Sequence, residues 1–163
     1  MNNNDILIRL RYALDLKNAE MAEIFALGDV DVTAKDVSHL LTKSVDENPE
    51  HIACTNAMLD AFLNGLIITK RGKQEPKPGQ PKRPPLMISD DKHRNNIVLK
   101  KLKIALTLTS DDILDILDDA GVYLSNSELS AVMRKEDHRN YKVCGDRYLR
   151  NFLKGLAMEY RGE

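Results

Sequence analysis

Eight basic residues of this sequence form four pairs at a nearly constant spacing. Three pairs stand 92 positions apart and one stands 90 apart: Arg9 with Lys101, Arg11 with Lys103, Lys43 with Lys135, and Arg71 with Arg161. Basic side chains can bind phosphate oxygens even on a protein without an overall basic excess. The pairs therefore predict two equivalent binding surfaces, and the alternative interpretation is ordinary surface charge offset by neighbouring acids.

Motifs of known catalytic or metal-binding mechanism are missing from the sequence. It contains no glycine-rich phosphate loop, no paired-cysteine zinc site and no helical His-Glu-x-x-His. The four histidines, His39, His51, His93 and His138, do not coincide between the two copies of the repeat described below, so we interpret them as solvated surface residues. We predict no catalytic residue, no metal ligand and no cofactor.

Two further features each have a functional and a structural interpretation. Cys54 and Cys144 precede equivalent helices, where a helix N-terminus can lower a thiol pKa, but unpaired cysteines are usually buried. An acidic strip can bind a divalent metal or a basic partner, or it can be a solvated helix face. The strip consists of Asp111, Asp112, Asp115, Asp118 and Asp119. We favour the structural interpretation of both features.

The basic pairs belong to a longer internal repeat. Residues 3–16 match residues 95–108, and the register of 92 holds through the third helical pattern before it becomes 90. Each copy has four segments with apolar residues at helical spacing. The sequence thus predicts an all-α protein of two homologous four-helix repeats. Their predicted bounds are 1–72 and 94–163, with a proline-rich linker at 73–93.

Capping residues and glycines refine these helices. We expect the first helix to begin at Asn3 or Asn4, and the third to begin with a capping box at Thr33. Gly65 and Gly155 lie inside the fourth helices, where glycine costs about 1 kcal/mol relative to alanine. Because this cost recurs in both copies, we expect another helix to pass close to each glycine.

The size of the repeats predicts how they are arranged. A unit of about 60 residues buries only about 60% of its unfolded surface and is marginal alone. A proline-rich linker can span tens of ångströms, so it leaves the packing open. We therefore expect the two repeats to pack against each other about a pseudo-twofold axis.

The second and third helices of each repeat have the outline of a helix-turn-helix, whose second helix enters the DNA major groove. The helices that would read DNA are AKDVSHLLTK and NSELSAVMRK, and each ends in a basic residue. The connection at 28–32 is longer than the usual 3–4 residue turn. Compact helical proteins often contain such helix pairs, so the pattern is only weakly indicative.

Length and composition set the broad class of the protein. The chain has 163 residues, of which 42% are hydrophobic and 30% charged, and its net charge is −1, which is ordinary for a soluble globular protein. No apolar run approaches the roughly 18 residues that span a bilayer, and the N-terminus lacks the features of a signal peptide. With only two cysteines, we expect a cytoplasmic protein that does not contact a membrane.

The stretch NNDILIRLRYALDL, followed by CTNAMLDAFLNGLIITKRGKQEP, resembles the YehS-like family of small bacterial proteins, also called domain of unknown function 1456. The resemblance covers nearly the whole chain, including its two-copy layout. It implies a bacterial cytoplasmic protein with an all-helical repeat. The family brings no established activity and no catalytic residues.

Three hypotheses about function follow in order. The first is a non-catalytic binding or adaptor module with a protein partner or a second copy of the chain, because polar positions are duplicated and no catalytic set is present. The second is a nucleic-acid-binding protein that uses the helix-turn-helix-like pairs. The third is an enzyme with a site between the repeats.

Overall fold

A computed structural model describes residues 1–72, 78–79 and 85–163 of the chain. Within these residues the protein has eight α-helices and no β-strand, which confirms the predicted all-α class. The first repeat contains α1 (Asn3–Leu14), α2 (Asn18–Leu27), α3 (Ala34–Leu40) and α4 (Asn56–Arg71). The second contains α5 (Arg94–Ala105), α6 (Ser110–Asp119), α7 (Asn126–Met133) and α8 (Asp146–Arg161). The linker predicted at 73–93 falls partly on 73–77 and 80–84, outside the described residues.

Helix packing confirms the pseudo-twofold arrangement. Helix α1 packs mainly against α8, and α4 packs extensively against α5, whereas α1 has few contacts with α4 of its own repeat. Within each repeat the fourth helix also packs on the second, as α4 on α2 and α8 on α6. The first helix of each repeat therefore lies mainly against the fourth helix of the other repeat, and one continuous hydrophobic core includes residues of both.

The start of α1 differs from the prediction by one residue. Its N-cap is Asn2, whose side chain accepts a hydrogen bond from the Asp5 amide at 2.9 Å. Asn3 and Asn4, the predicted caps, are buried inside the first turn. The capping box at Thr33 is confirmed, because the Thr33 hydroxyl accepts from the Asp36 amide at 3.0 Å.

The buried asparagines hold each repeat together. The Asn4 amide group donates to the carbonyls of Leu40 and Ile52 at 2.9 and 2.8 Å, and its oxygen accepts from the Cys54 amide at 3.0 Å. Asn96 makes the corresponding three bonds in the second repeat. Since buried polar backbone groups are costly when unpaired, the repeated Asn-Asn pair has a structural role.

The glycines inside the fourth helices lie against a second helix, as predicted. A Cβ atom at Gly65 would stand 1.8 Å from the carbonyl oxygen of Ile24 in α2. In the other repeat, a Cβ atom at Gly155 would stand 2.2 Å from the carbonyl oxygen of Ile116 in α6. Only glycine allows the helices to approach this closely. Among the described residues, no helix is both long and apolar enough to span a lipid bilayer.

Candidate functional site

A groove runs along the junction of α1 and α8, between the two repeats, and its volume is about 430 Å³. This volume is within the range of ligand pockets. Its apolar wall is formed by Ile8, Tyr12, Leu153, Ala157 and Met158. Its basic residues are Arg9, Lys43 and Lys154, and its acidic residues are Asp5 and Glu163. We call the cavity formed by these ten residues the open groove.

Helical spacing explains why these side chains meet. Ile8 and Tyr12 lie four positions apart on α1, and Leu153 and Ala157 lie four apart on α8, so each pair shares one helix face. Lys43 follows the end of α3 and reaches the same cavity. The groove therefore needs both repeats and does not exist in either one alone.

The acids of the open groove have partners, whereas the basic residues do not. The Asp5 carboxylate accepts from the Asn2 amide at 3.0 Å, and Glu163 accepts from the Tyr12 hydroxyl at 2.6 Å. The hydrogen bond to Glu163 raises the pKa of Tyr12. Within residues 1–72, 78–79 and 85–163, the side chains of Arg9, Lys43 and Lys154 make no hydrogen bond or ion pair. These cations can therefore bind an external anion without breaking an internal contact.

The corresponding junction of α4 and α5 is covered by the chain itself. Lys101 forms a buried ion pair with Asp60, and its ammonium group also donates to the Pro85 carbonyl at 3.0 Å. The other oxygen of the Asp60 carboxylate accepts from the amides of Met87 and, at 2.7 Å, Ile88. We call this junction, with Pro85–Ile88 bound across it, the filled groove.

Lys101 is thus not part of a binding surface, contrary to the prediction from its pairing with Arg9. Only 4% of Lys101 is exposed, and Asp60 is completely buried. Burial lowers the pKa of Lys101, and its hydrogen bond with Asp60 opposes this shift. The two members of this pair have different roles because only Lys101 has an acidic partner on the facing helix.

The pair Arg71 and Arg161 recurs because of a shared contact between the repeats. Arg71 donates to the carbonyl of Ile104 at 3.3 Å, and Arg161 donates to the carbonyl of Tyr12 at 3.0 Å. Tyr12 and Ile104 occupy equivalent positions in α1 and α5. Arg161 also lies 4.2 Å from the centre of the Tyr12 ring, a cation–π geometry. Both arginines therefore already have partners in the fold.

The remaining predicted residues are dispersed. Arg11 and Lys135 are exposed and lie outside the open groove, and Lys103 lines a separate shallow depression with Lys100. Of the eight predicted residues, the structure brings Arg9 and Lys43 together in the open groove, where Lys154 joins them. Lys154 escaped the sequence analysis because its counterpart in the first repeat is Asn64.

Three of the four histidines are half-buried and bonded, so the prediction of solvated residues is wrong for them. His39 Nε2 lies 2.8 Å from Glu50, and His51 Nδ1 lies 2.7 Å from the Thr42 hydroxyl. The third, His93, contacts both Tyr141 and Glu136. His138 is exposed as predicted.

One group of potential metal ligands occurs in the described part of the chain. A carboxylate oxygen of Asp90, a ring nitrogen of His93 and a carboxylate oxygen of Glu136 lie within 4.8 Å of one another. His93 Nε2 lies 3.1 Å from Glu136, and His93 Nδ1 lies 2.8 Å from the Tyr141 hydroxyl. Hydrogen bonding within the protein thus accounts for the position of the imidazole.

The acidic strip is exposed along α6. Asp112 forms a capping box with Thr109, whose amide donates to the Asp112 carboxylate at 2.8 Å. This contact favours a structural role for at least the first turn of the strip.

The helix pairs α2–α3 and α6–α7 are present, but their connections differ from those of a helix-turn-helix. Residues 28–33 and 120–125 join them, six residues in each case. The DNA-binding turn usually has 3–4 residues. DNA binding through these pairs stays a prediction.

Both cysteines are buried, and burial raises the pKa of each thiol to about 12. Since the thiolate is the reactive form, we expect Cys54 and Cys144 to be labelled by 5,5′-dithiobis(2-nitrobenzoate) at pH 8 at least ~100-fold more slowly in the native protein than in guanidinium. Absorbance at 412 nm follows the reaction. Equal rates in the two conditions would show that the thiols are accessible and reactive.

Comparisons with known proteins agree with this architecture. The family model described as a protein of unknown function, DUF1456, matches residues 3–72 and again residues 95–162. The uncharacterized protein YehS of Escherichia coli (strain K12) is 44% identical over 158 residues, which cover 96% of this chain and 95% of YehS. No solved structure matches the chain. The resemblance noted in the sequence is thereby confirmed, and the two matched segments cover the helices of the two repeats.

Proposed function

We propose that this chain, which belongs to the DUF1456 family of proteins of unknown function, is a non-catalytic binding module whose ligand lies in the open groove. The observation that carries the proposal is the difference between two equivalent grooves. One is covered by Pro85–Ile88, whereas the other presents an apolar wall beside three basic side chains. An apolar cavity with a few convergent polar groups is the usual form of a ligand site.

The wall of the open groove supports binding rather than group transfer. Among its described residues there is no histidine, cysteine or serine. The Tyr12 phenol has a raised pKa because it donates to Glu163, so it remains protonated at neutral pH. We further propose that the protein acts in the cytoplasm, where its two unpaired cysteines would remain reduced.

An amphipathic anion tests for the site without assuming its natural ligand. We expect 8-anilinonaphthalene-1-sulfonate to bind the native protein, with its ring on Met158 and its sulfonate near Arg9 and Lys154. In the double variant Arg9→Glu/Lys154→Glu, the affinity should fall about tenfold or more, because two attractive charges become repulsive. Dye fluorescence measures the affinity, and circular dichroism verifies that the variant is folded.

The matched control changes the same net charge elsewhere. Lys35 and Lys135 are exposed and lie outside the open groove, so Lys35→Glu/Lys135→Glu should leave dye affinity within about twofold of the wild type. Equal losses in both double variants would mean that the dye responds to total charge. That result, or no binding to the wild type, would refute the open groove as a ligand site.

A further inference from the structure

The filled groove shows what kind of chain segment such a junction accommodates. Pro85–Ile88 crosses it outside any helix, with the Pro85 carbonyl bonded to Lys101 and the Ile88 amide bonded to Asp60. The Ile88 side chain is 9% exposed and belongs to the core. Backbone contacts and one inserted apolar side chain therefore hold a non-helical polypeptide against the two helices.

The open groove is the pseudo-symmetric counterpart, with different charges at the positions that hold this segment. Arg9 occupies the position of Lys101, Lys154 that of Asn64, and Arg150 that of Asp60. An ammonium, an amide and a carboxylate are thus replaced by three cations. Arg150 is exposed and lies one helical turn before Lys154, on the same face of α8.

These substitutions determine the charge of an occupant. A segment like Pro85–Ile88 would find no carboxylate at the position of Asp60 to accept its amide hydrogens. It would instead meet cationic donors, which bind carboxylates by charge-assisted hydrogen bonds. The apolar surface of Leu153, Ala157 and Met158 would cover an aliphatic side chain, as the core covers Ile88.

Resting on the proposed binding function, we infer that the open groove binds a non-helical, acidic polypeptide segment of a partner protein in the way the filled groove binds Pro85–Ile88. Carboxylates of the segment contact Arg9 and Lys154, and an aliphatic side chain lies on Ala157 and Met158. A polypeptide fits better than a nucleic acid. Single strands are usually held on several aromatic platforms along a basic track, whereas Tyr12 is the only aromatic residue of the described groove wall.

Two fluorescent heptapeptides test the inference on the full chain. The acidic probe has the sequence Pro-Leu-Met-Ile-Ser-Asp-Asp, that of residues 85–91, with acetylated N-terminus. The basic probe has lysine at both aspartate positions. We expect the acidic probe to bind at least about tenfold more tightly at low salt, since its carboxylates face three basic side chains. Fluorescence anisotropy measures both affinities.

Single substitutions then locate the site. Arg9→Gln and Lys154→Gln should each weaken the acidic probe about fivefold, and Arg9→Lys should retain most of the affinity. The controls Lys35→Gln and Lys135→Gln should not change it, because both lysines lie outside the groove. Equal affinity for the two probes, or acidic binding indifferent to Arg9→Gln and Lys154→Gln, would overturn the inference.

The remaining outcomes separate the inference from the function on which it rests. If the dye binds through Arg9 and Lys154 but neither peptide does, the inference fails and the proposed function stands. If neither dye nor peptide binds, both fail. If a single-stranded oligonucleotide binds more tightly than the acidic peptide and depends on the same two residues, the partner class is wrong.

Discussion

Replacing Gly65 with alanine is expected to lower the free energy of unfolding by about 3 kcal/mol, although the same change in an exposed helix stabilises by about 1 kcal/mol. The new methyl group would stand 1.8 Å from the carbonyl oxygen of Ile24, which is backbone and cannot rotate away. Helices α2 and α4 would have to move apart and lose packing around Phe25 and Phe62, whose rings are 5.0 Å apart. Urea denaturation followed by circular dichroism measures the change.

The structure supplies a positive and a negative control for this change. Gly155→Ala should destabilise in the same direction, since its Cβ would stand 2.2 Å from the Ile116 oxygen. Gly145→Ala, where no atom lies within 4 Å of the new Cβ, should alter stability by less than about 1 kcal/mol. A stabilised Gly65→Ala variant would show that α2 and α4 are not in the close contact described.

Replacing Asp60 with alanine is expected to destabilise the protein by about 3–5 kcal/mol, the typical result of removing one partner from a buried ion pair. The ammonium group of Lys101 would remain buried with the uncharged oxygens of Asn64 and Pro85. The amides of Met87 and Ile88 would also lose their acceptor. Because Asp60 joins α4, α5 and the linker, its loss affects both repeats at once.

Comparison with a double variant separates a lost ion pair from simple loss of packing. In Asp60→Leu/Lys101→Met no charge is left buried, so the double variant should be more stable than Asp60→Ala. Asp111→Ala, at an exposed carboxylate, should change stability by less than about 0.5 kcal/mol. A loss for Asp60→Ala as small as that for Asp111→Ala would mean that the buried pair does not form.

Much of the fold could be predicted from sequence because its signals are local or repeated. Apolar spacing and the capping box at Thr33 each involve residues within one or two turns. The cost of glycine at Gly65 and Gly155, repeated in both copies, indicated a tertiary contact that was indeed found. The start of α1 was misplaced because three consecutive asparagines can all act as caps, and only tertiary burial distinguishes Asn2 from Asn3 and Asn4.

The site was only partly predictable because equivalent residues acquired different surroundings. Arg9 and Lys101 match in sequence, but their environment depends on the residues facing them in α8 and α4, far away in the chain. A signal was available in the contrast between Asp60, which lies among apolar residues of α4, and its counterpart Arg150. For Arg71 and Arg161, repetition reflected a shared contact with the other repeat rather than a shared ligand.

The asymmetry between the two grooves can be observed directly by methyl NMR with the acidic heptapeptide as ligand. We expect the methyl signals of Ile8 and Met158, in the open groove, to move as the peptide is added. The signal of Ile88, held in the filled groove, should stay in place. Movement of Ile88 with Ile8 and Met158 unchanged would instead show that the peptide displaces the chain's own segment, and it would contradict the assignment of the open groove as the binding site.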